Sequence, residues 1–128
     1  PTKRFIVQTF VPHGGADLRV VIIGRKVRSY WRCQNRFDEI RNNVGRGAAI
    51  VHDMAPELTR KGIRCVEDFC YKTGINLAAF DLLFDRTQED PRPFLSEINF
   101  LFGRKGLGGS AAFHAILNDA VHDWLQSL

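Results

Sequence analysis

The stretch FLSEINF, residues 94–100, sets the tightest constraint on how this chain can fold. Phe94, Leu95, Ile98 and Phe100 give it the character of a strand that ought to be buried, since Phe and Ile favour sheets. Glu97 and Asn99 interrupt it, and an unpaired carboxylate in a core is costly. Asp81 poses the same conflict as the single charge inside AAFDLLF. Folding the chain back about TQEDPR, near residue 89, brings position 81 opposite position 97. Residues two apart share a strand face, so Glu97 and Asn99 point the same way and Asp81 is expected beside both. Two carboxylates that close repel each other unless a cation sits between them. Hard oxygen ligands suit Mg²⁺, which is usually held by one or two carboxylates together with substrate phosphates. The alternative is that Asp81 and Glu97 pair with arginines of a neighbouring hairpin.

The rest of the chain supplies that hairpin. Leu18 to Ile23 and Lys26 to Cys33 read as two strands joined at Gly24-Arg25, a two-residue turn whose leading Gly suits type II′. Residues 5–11 read as a strand before the turn HGGAD, residues 13–17. Residues 34–47 read as a polar loop with a short strand at Phe37 to Ile40, and Ala48 to Val51 reads as another. Asp53 is expected to cap a helix that runs to about Lys72 and ends at Gly74. Leu58, Ile63, Val66 and Cys70 give that helix one apolar face. After the Gly-rich GRKGLGGS, Ser110 is expected to cap a last helix with a stripe of Phe113, Ile116, Leu117, Ala120, Trp124 and Leu128. The fold class is therefore α+β, a mostly antiparallel sheet flanked by two main helices.

At 128 residues the chain is about one domain. No apolar run is long enough for a transmembrane helix, so a membrane role is not expected. Cys33, Cys65 and Cys70 are odd in number and lack CxxC spacing, which argues for a reducing compartment, the cytoplasm, and against a zinc site. The start, PTKRFIVQTF, has no initiator Met and runs almost at once into a strand-like stretch. A piece of a longer protein is the expectation, with a mature processed protein as the alternative.

The net charge of +4 fits a nucleic acid or a small polyanion such as a nucleoside triphosphate. Arg19, Arg28 and Arg32 fall on strand-like segments, and Arg41 and Arg46 fall in the polar loop. The planar guanidinium suits phosphate and carboxylate oxygens. Cation, triphosphate and arginines together describe a phosphoryl-transfer site, where positioning and charge neutralisation dominate. No GxxxxGK[ST] is present, nor a protein-kinase DFG or HRD.

The segments VQTFVPHGGADLRVVIIG, VRSYWR, RNNVGRG, GINLAAFDLLF and FLSEINF, in this order, cover nearly the whole chain. In this combination the chain resembles the C-terminal part of ATP-grasp ligases, in particular the glutathione synthetase and ribosomal-protein glutamate-ligase branch. The resemblance implies that residues 1–128 are a C-terminal ATP-grasp subdomain. The N-terminal substrate domain and the central ATP-covering subdomain of such ligases are not in it. It implies ATP and two Mg²⁺ ions, with Mn²⁺ as a substitute. Asp81, Glu97 and Asn99 match the metal ligands, with Glu97 bridging both ions. Arg19 and Arg32 match positions near the phosphates or the acyl substrate. Arg41 and Asn43 match an R-x-N whose Arg meets phosphate or acyl phosphate. Gln8, Thr9, Phe10 and Val11 match the hinge whose backbone meets adenine. The partners implied are a carboxylate substrate, an amine or thiol acceptor, and the rest of the parent ligase.

Two departures stand out. Thr9 replaces a usual acidic residue, and FLFGRKGLGG follows Asn99 where the family has a run of small residues beside the acceptor site. Two other readings compete. One is a basic module that binds single-stranded nucleic acid through the aromatics and arginines of RSYWRCQNRF. It leaves Asp81, Glu97 and Asn99 without a role. The other is a structural domain that keeps the fold without the chemistry.

Overall fold

The computed structural model describes residues 2–34 and 47–128. Among them, five strands form one antiparallel sheet in the order β3-β2-β1-β4-β5. The strands are β1 (Ala16–Ile23), β2 (Lys26–Cys33), β3 (Ala49–Val51), β4 (Leu77–Phe84) and β5 (Pro93–Asn99). Helix α1 (Pro56–Thr73) covers one face of the sheet and α2 (Ser110–Gln126) the other. This is the α+β arrangement read from the sequence.

Strand alternation sorts the side chains between two cores. On the α1 side lie Leu18, Val20, Ile22, Trp31, Ala78, Phe80, Leu82 and Phe84, packed against Val66. Trp31 also donates from Nε1 to Thr59 Oγ1 at 2.9 Å, which satisfies the indole N–H where the helix crosses the sheet. On the α2 side lie Val21, Ile23, Tyr30 and Ala79 under Leu107, Phe113 and Ala120. The interior strand β4 is apolar on both faces because both are covered. The β1–β2 turn has Gly24 at φ 60° with no positive φ at Arg25, which fits type II′ and rules out type I′.

Several expectations need correction. The strand read at residues 5–11 is absent: Phe5 to Val11 belong to no strand, and Phe5, Ile6, Val7 and Phe10 are exposed. A strand needs a neighbour to pair its backbone groups, and this segment pairs with none of the five strands. Helix α1 is not capped by Asp53. Its N-cap is Ala55, at φ 44°, followed at once by Pro56. Proline fits the first helical position, where its missing N–H costs nothing, and it fixes the start of the helix beyond Asp53. At the other end Gly74, at φ 75°, donates its N–H to the Cys70 carbonyl as expected of a C-terminal glycine. Ser110 likewise caps nothing; Gly109 at φ 97° holds the N-cap position of α2, and Ser110 is the first helical residue. The apolar stripe of α2 is buried only over its first half. Phe113 and Ala120 are covered, whereas Trp124 and Leu128 are exposed. The strand read at Phe37 to Ile40 lies outside the described residues.

The Gly-rich segment is packed rather than open. It forms a 3-10 turn at Lys105–Leu107, with Gly106 and Leu107 buried. A Cβ on Gly106 would stand 2.1 Å from Tyr30 Cζ and 2.4 Å from both Cε atoms. The ring is itself buried between sheet and turn, so it cannot step aside. Gly106→Ala is therefore expected to lower stability by about 1–3 kcal/mol through overpacking, read as a lower melting temperature. A melting curve that superimposes on the parent's would show that the turn does not seat on Tyr30.

Candidate active site

The polar residues gather on the α2 face of the sheet, at the end away from α2's apolar contacts. Alternation places Asp17 and Arg19 on that face of β1, beyond Val21 and Ile23. Antiparallel pairing sets Arg32 across from Asp17 and Asp81 across from Arg19. On the far side of β4, Asp81 faces Glu97, and Ala79 faces Asn99. Asp81, Glu97 and Asn99 thus share one face of two adjacent antiparallel strands. Just beyond, the register slips: Leu82 pairs with Leu95, which leaves Ser96 as the extra residue of a bulge. Bulges sharpen the local twist and re-aim side chains, and this one adjoins Glu97.

Hydrogen bonds tie these residues into one network. Arg19 donates to Asp81 through Nε to Oδ1 and Nη2 to Oδ2, both at 2.7 Å. Arg32 donates to Asp17 in the same two-pronged manner, at 2.8 and 2.5 Å, and its Nη2 also lies 2.9 Å from Asp81 Oδ2. Asn99 Nδ2 donates to Asp81 Oδ2 at 3.3 Å. Planar fork-to-carboxylate pairing of this kind adds geometric definition to charge attraction. Asp17, Arg32 and Asp81 are all buried.

Burial and pairing pull the protonation equilibria in opposite directions. Burial pushes the Asp17 carboxyl above the ordinary aspartate value, and the hydrogen bonds and charge of Arg32 only partly reverse this. Burial works against the positive charges of Arg19 and Arg32. The hydrogen bonds and charges of their carboxylate partners outweigh it, so both guanidinium groups stand above their ordinary values. A raised Arg32 favours an ionised pair with Asp17, whereas a raised Asp17 favours a neutral carboxyl. The two-pronged geometry and the permanently charged guanidinium decide for the ionised pair. Burial raises the Tyr30 hydroxyl, with Arg19 drawing it back. Burial also raises Cys33, Cys65 and Cys70, all unpaired, which keeps these thiols poor nucleophiles.

This geometry revises the reading of FLSEINF. Among the described residues, strand β5 is not a core strand but a sheet edge with a single neighbour, β4. Phe94, Leu95, Glu97 and Phe100 are exposed, and Ile98 alone of that stretch packs against the α1-side core. The buried charge is Asp81, and it is paired with arginines of the β1–β2 hairpin. Glu97 makes no ion pair among the described residues. Among the described residues no three His, Cys, Asp or Glu side chains converge. The candidate metal donors are therefore two carboxylates and the Asn99 amide.

Arg32 lies in the cluster, in contact with Asp81. Arg41 and Asn43 lie outside the described residues. Gln8, Thr9 and Phe10 are exposed and Val11 is half-buried; the Val11 carbonyl accepts from His13 N–H at 2.7 Å. Asp17 does not stand out in the sequence, because HGGAD reads as a turn. The turn ends sooner, at Gly14-Gly15, and β1 already includes Asp17. The period-2 pattern of Asp17, Arg19, Val21 and Ile23 is the signal that would have found it. The basic stretch RSYWR offers no platform for bases, since Tyr30 and Trp31 are 3% and 1% exposed and Arg32 is committed to carboxylates.

No protein-family model matches the chain. Curated proteins do. A probable alpha-L-glutamate ligase of Syntrophotalea carbinolica is 31% identical over 107 residues, which cover 82% of this chain and 33% of that protein. Similar proteins of the same name come from Aliivibrio salmonicida, 32% identical over 104 residues, and Marinobacter nauticus, 33% identical over 105 residues. Each of these two matches covers 80% of this chain and 32% of the relative. The similarity to these ligases runs over about four fifths of this chain. The chain spans about a third of the length of the curated relatives it matches. Among the described residues, no helix is long and apolar enough to cross a membrane.

Proposed function

We propose that this chain is the nucleotide- and Mg²⁺-binding part of an ATP-dependent ligase. Such an enzyme joins a carboxylate to an amine or a thiol through an acyl phosphate. The observation that supports this most is the meeting of Asp81, Glu97 and Asn99 on one sheet face, with Arg19 and Arg32 across the adjoining strands. Carboxylate and amide oxygens are the hard donors that Mg²⁺ takes, so the donor chemistry fits. Asp81 and Glu97 would hold the ion, with Asn99 through its amide oxygen. When bound, Mg²⁺ supplies neutralisation of phosphate charge. Arg19 and Arg32 would face the phosphates and stabilise the charge that develops as the terminal phosphoryl group passes to the carboxylate. Gln8 to Val11 would meet adenine, and Arg41 and Asn43 would complete the phosphate side. Residues 1–128 act in this reading as a C-terminal ATP-grasp subdomain, with the parts that cover ATP elsewhere in the parent protein. The name carried by the relatives points to glutamate as one of the two joined substrates.

The products of ATP test the route. Phosphorylation of a carboxylate followed by amine or thiol attack yields ADP and inorganic phosphate, one of each per bond formed. The parent protein, given ATP, Mg²⁺, a carboxylate substrate and glutamate as the amine, is expected to release ADP and phosphate in step with product. Release of AMP and pyrophosphate would mean an adenylate instead and would overturn the acyl-phosphate reading.

A further inference from the structure

Asp81 is claimed twice, as a metal ligand in the proposed function and as the carboxylate gripped by two arginines in the structure. Its Oδ1 takes Arg19 Nε, and its Oδ2 takes Arg19 Nη2, Arg32 Nη2 and Asn99 Nδ2. Oδ2, directed at three donors, has no lone pair left for a cation, and the one still open on Oδ1 lies beside the Arg19 guanidinium. A guanidinium and a divalent cation held by the same carboxylate would also repel each other. One cation has to give way.

The two arginines are not equally placed. Arg32 keeps a second, two-pronged carboxylate partner in Asp17 and touches Asp81 through Nη2. Arg19 spends its Nε and Nη2 on Asp81 alone among the carboxylates, and its side chain is a little more open, 11% against 7%. Charge points the same way. Asp17 and Asp81 balance Arg19 and Arg32, so the buried network is neutral as it stands. A dication leaves it in excess positive charge unless a guanidinium moves out or an anionic ligand arrives.

We propose that a divalent cation reaches Asp81 by exchange with the Arg19 guanidinium, and that Asp17 is the positioning residue that holds Arg32 on the sheet during the exchange. The displaced Arg19 swings towards the solvent side of the cluster, where an anionic oxygen can take the place of Asp81. Arg19 thereby links metal occupancy to phosphate binding. This inference rests on the metal reading of Asp81 and Glu97 and adds its order of events.

The exchange makes two substitutions act in opposite directions on metal binding by the 128-residue chain, with Mn²⁺ alone as the probe, followed by electron paramagnetic resonance. Arg19→Gln removes the competitor and is expected to tighten Mn²⁺ by roughly tenfold or more, the scale on which a neighbouring charge changes a carboxylate's affinity for a proton. Asp17→Asn leaves Arg32 with Asp81 as its one full carboxylate and is expected to weaken Mn²⁺. A merely structural role would weaken both. Arg19→Lys, which keeps the charge but loses the fork, is expected to fall between the parent and Arg19→Gln, and it serves if Arg19→Gln fails to fold. Glu97→Gln separates the exchange from the metal site itself. If Mn²⁺ binds in a Glu97-dependent way and Arg19 substitutions leave it unchanged or weaker, the exchange is wrong and the metal site stands. If Mn²⁺ binding is absent or independent of Glu97 in every variant, the metal reading fails and the exchange fails with it.

Discussion

Replacing Asp81 with Ala is expected to destabilise the chain by about 3–5 kcal/mol, the cost of breaking a buried ion pair from one side. The cause is what the substitution leaves behind. Arg32 keeps Asp17, but Arg19 loses both of its carboxylate hydrogen bonds and stays in a largely buried position. The network turns from neutral to singly positive, in a place where solvent cannot compensate fully. Removing both partners has a different effect. Arg19→Met with Asp81→Leu takes away the two charges together and fills the space with apolar groups, which is often neutral or better for a buried pair. The double variant is therefore expected to be more stable than Asp81→Ala, although it has lost more of the network. Urea unfolding of the three proteins measures this. If Asp81→Ala unfolds at the parent's midpoint, the network contributes nothing to holding β1 and β4 together. If the double variant is the least stable of the three, the damage lies in packing, not in stranded charge.

The same cluster shows what the sequence could and could not reveal. The meeting of positions 81 and 97 follows from a hairpin symmetric about residue 89, and the observed register has that pairing. Next to the turn the register runs one residue short of that symmetry, as in Leu82 with Leu95, and the bulge at Ser96 restores it at Asp81 and Glu97. Without the bulge Glu97 would fall opposite Phe80, on the other face. What local pattern could not reveal was that β5 is an edge. Apolar residues at Phe94, Leu95 and Phe100 read as burial, but burial depends on which strands and helices arrive alongside, and among the described residues none arrives beyond β5. The misplacement of the helix start has a different origin. Asp53 is a good capping residue in isolation, yet Pro56 fixes the first helical position and Ala55 takes the turn. Asp17 was hidden by its two neighbouring glycines, whose turn signal is strong enough to mask the strand pattern that follows.

Replacing Glu97 with Gln is expected to leave folding untouched and to reduce Mg²⁺-dependent ATP turnover of the parent enzyme by roughly a hundredfold or more, since metal clamping of phosphate charge is worth several kcal/mol. The structure makes this prediction sharper than the sequence alone allowed. Had Glu97 been a buried partner of an arginine, the substitution would have cost stability. Instead it is exposed on an edge strand and holds no ion pair among the described residues, so its charge is not needed to hold the sheet. Gln is nearly isosteric and keeps the backbone pairing with Asp81, and Ile98 continues to pack on the α1 side. Surface substitutions of this kind usually change stability by less than about 0.5 kcal/mol. An exposed carboxylate beside a fully engaged one is open to what arrives from solvent, and a divalent cation with its phosphates suits the neighbouring oxygens. Melting temperature and Mg²⁺-dependent ATP turnover measured on the same preparation decide the matter. Unchanged melting with lost turnover is the expected pair of results. Unchanged melting with full turnover, over a range of Mg²⁺ concentrations, would mean that Glu97 is one more solvated charge on a sheet edge and that the cation, if there is one, is held elsewhere.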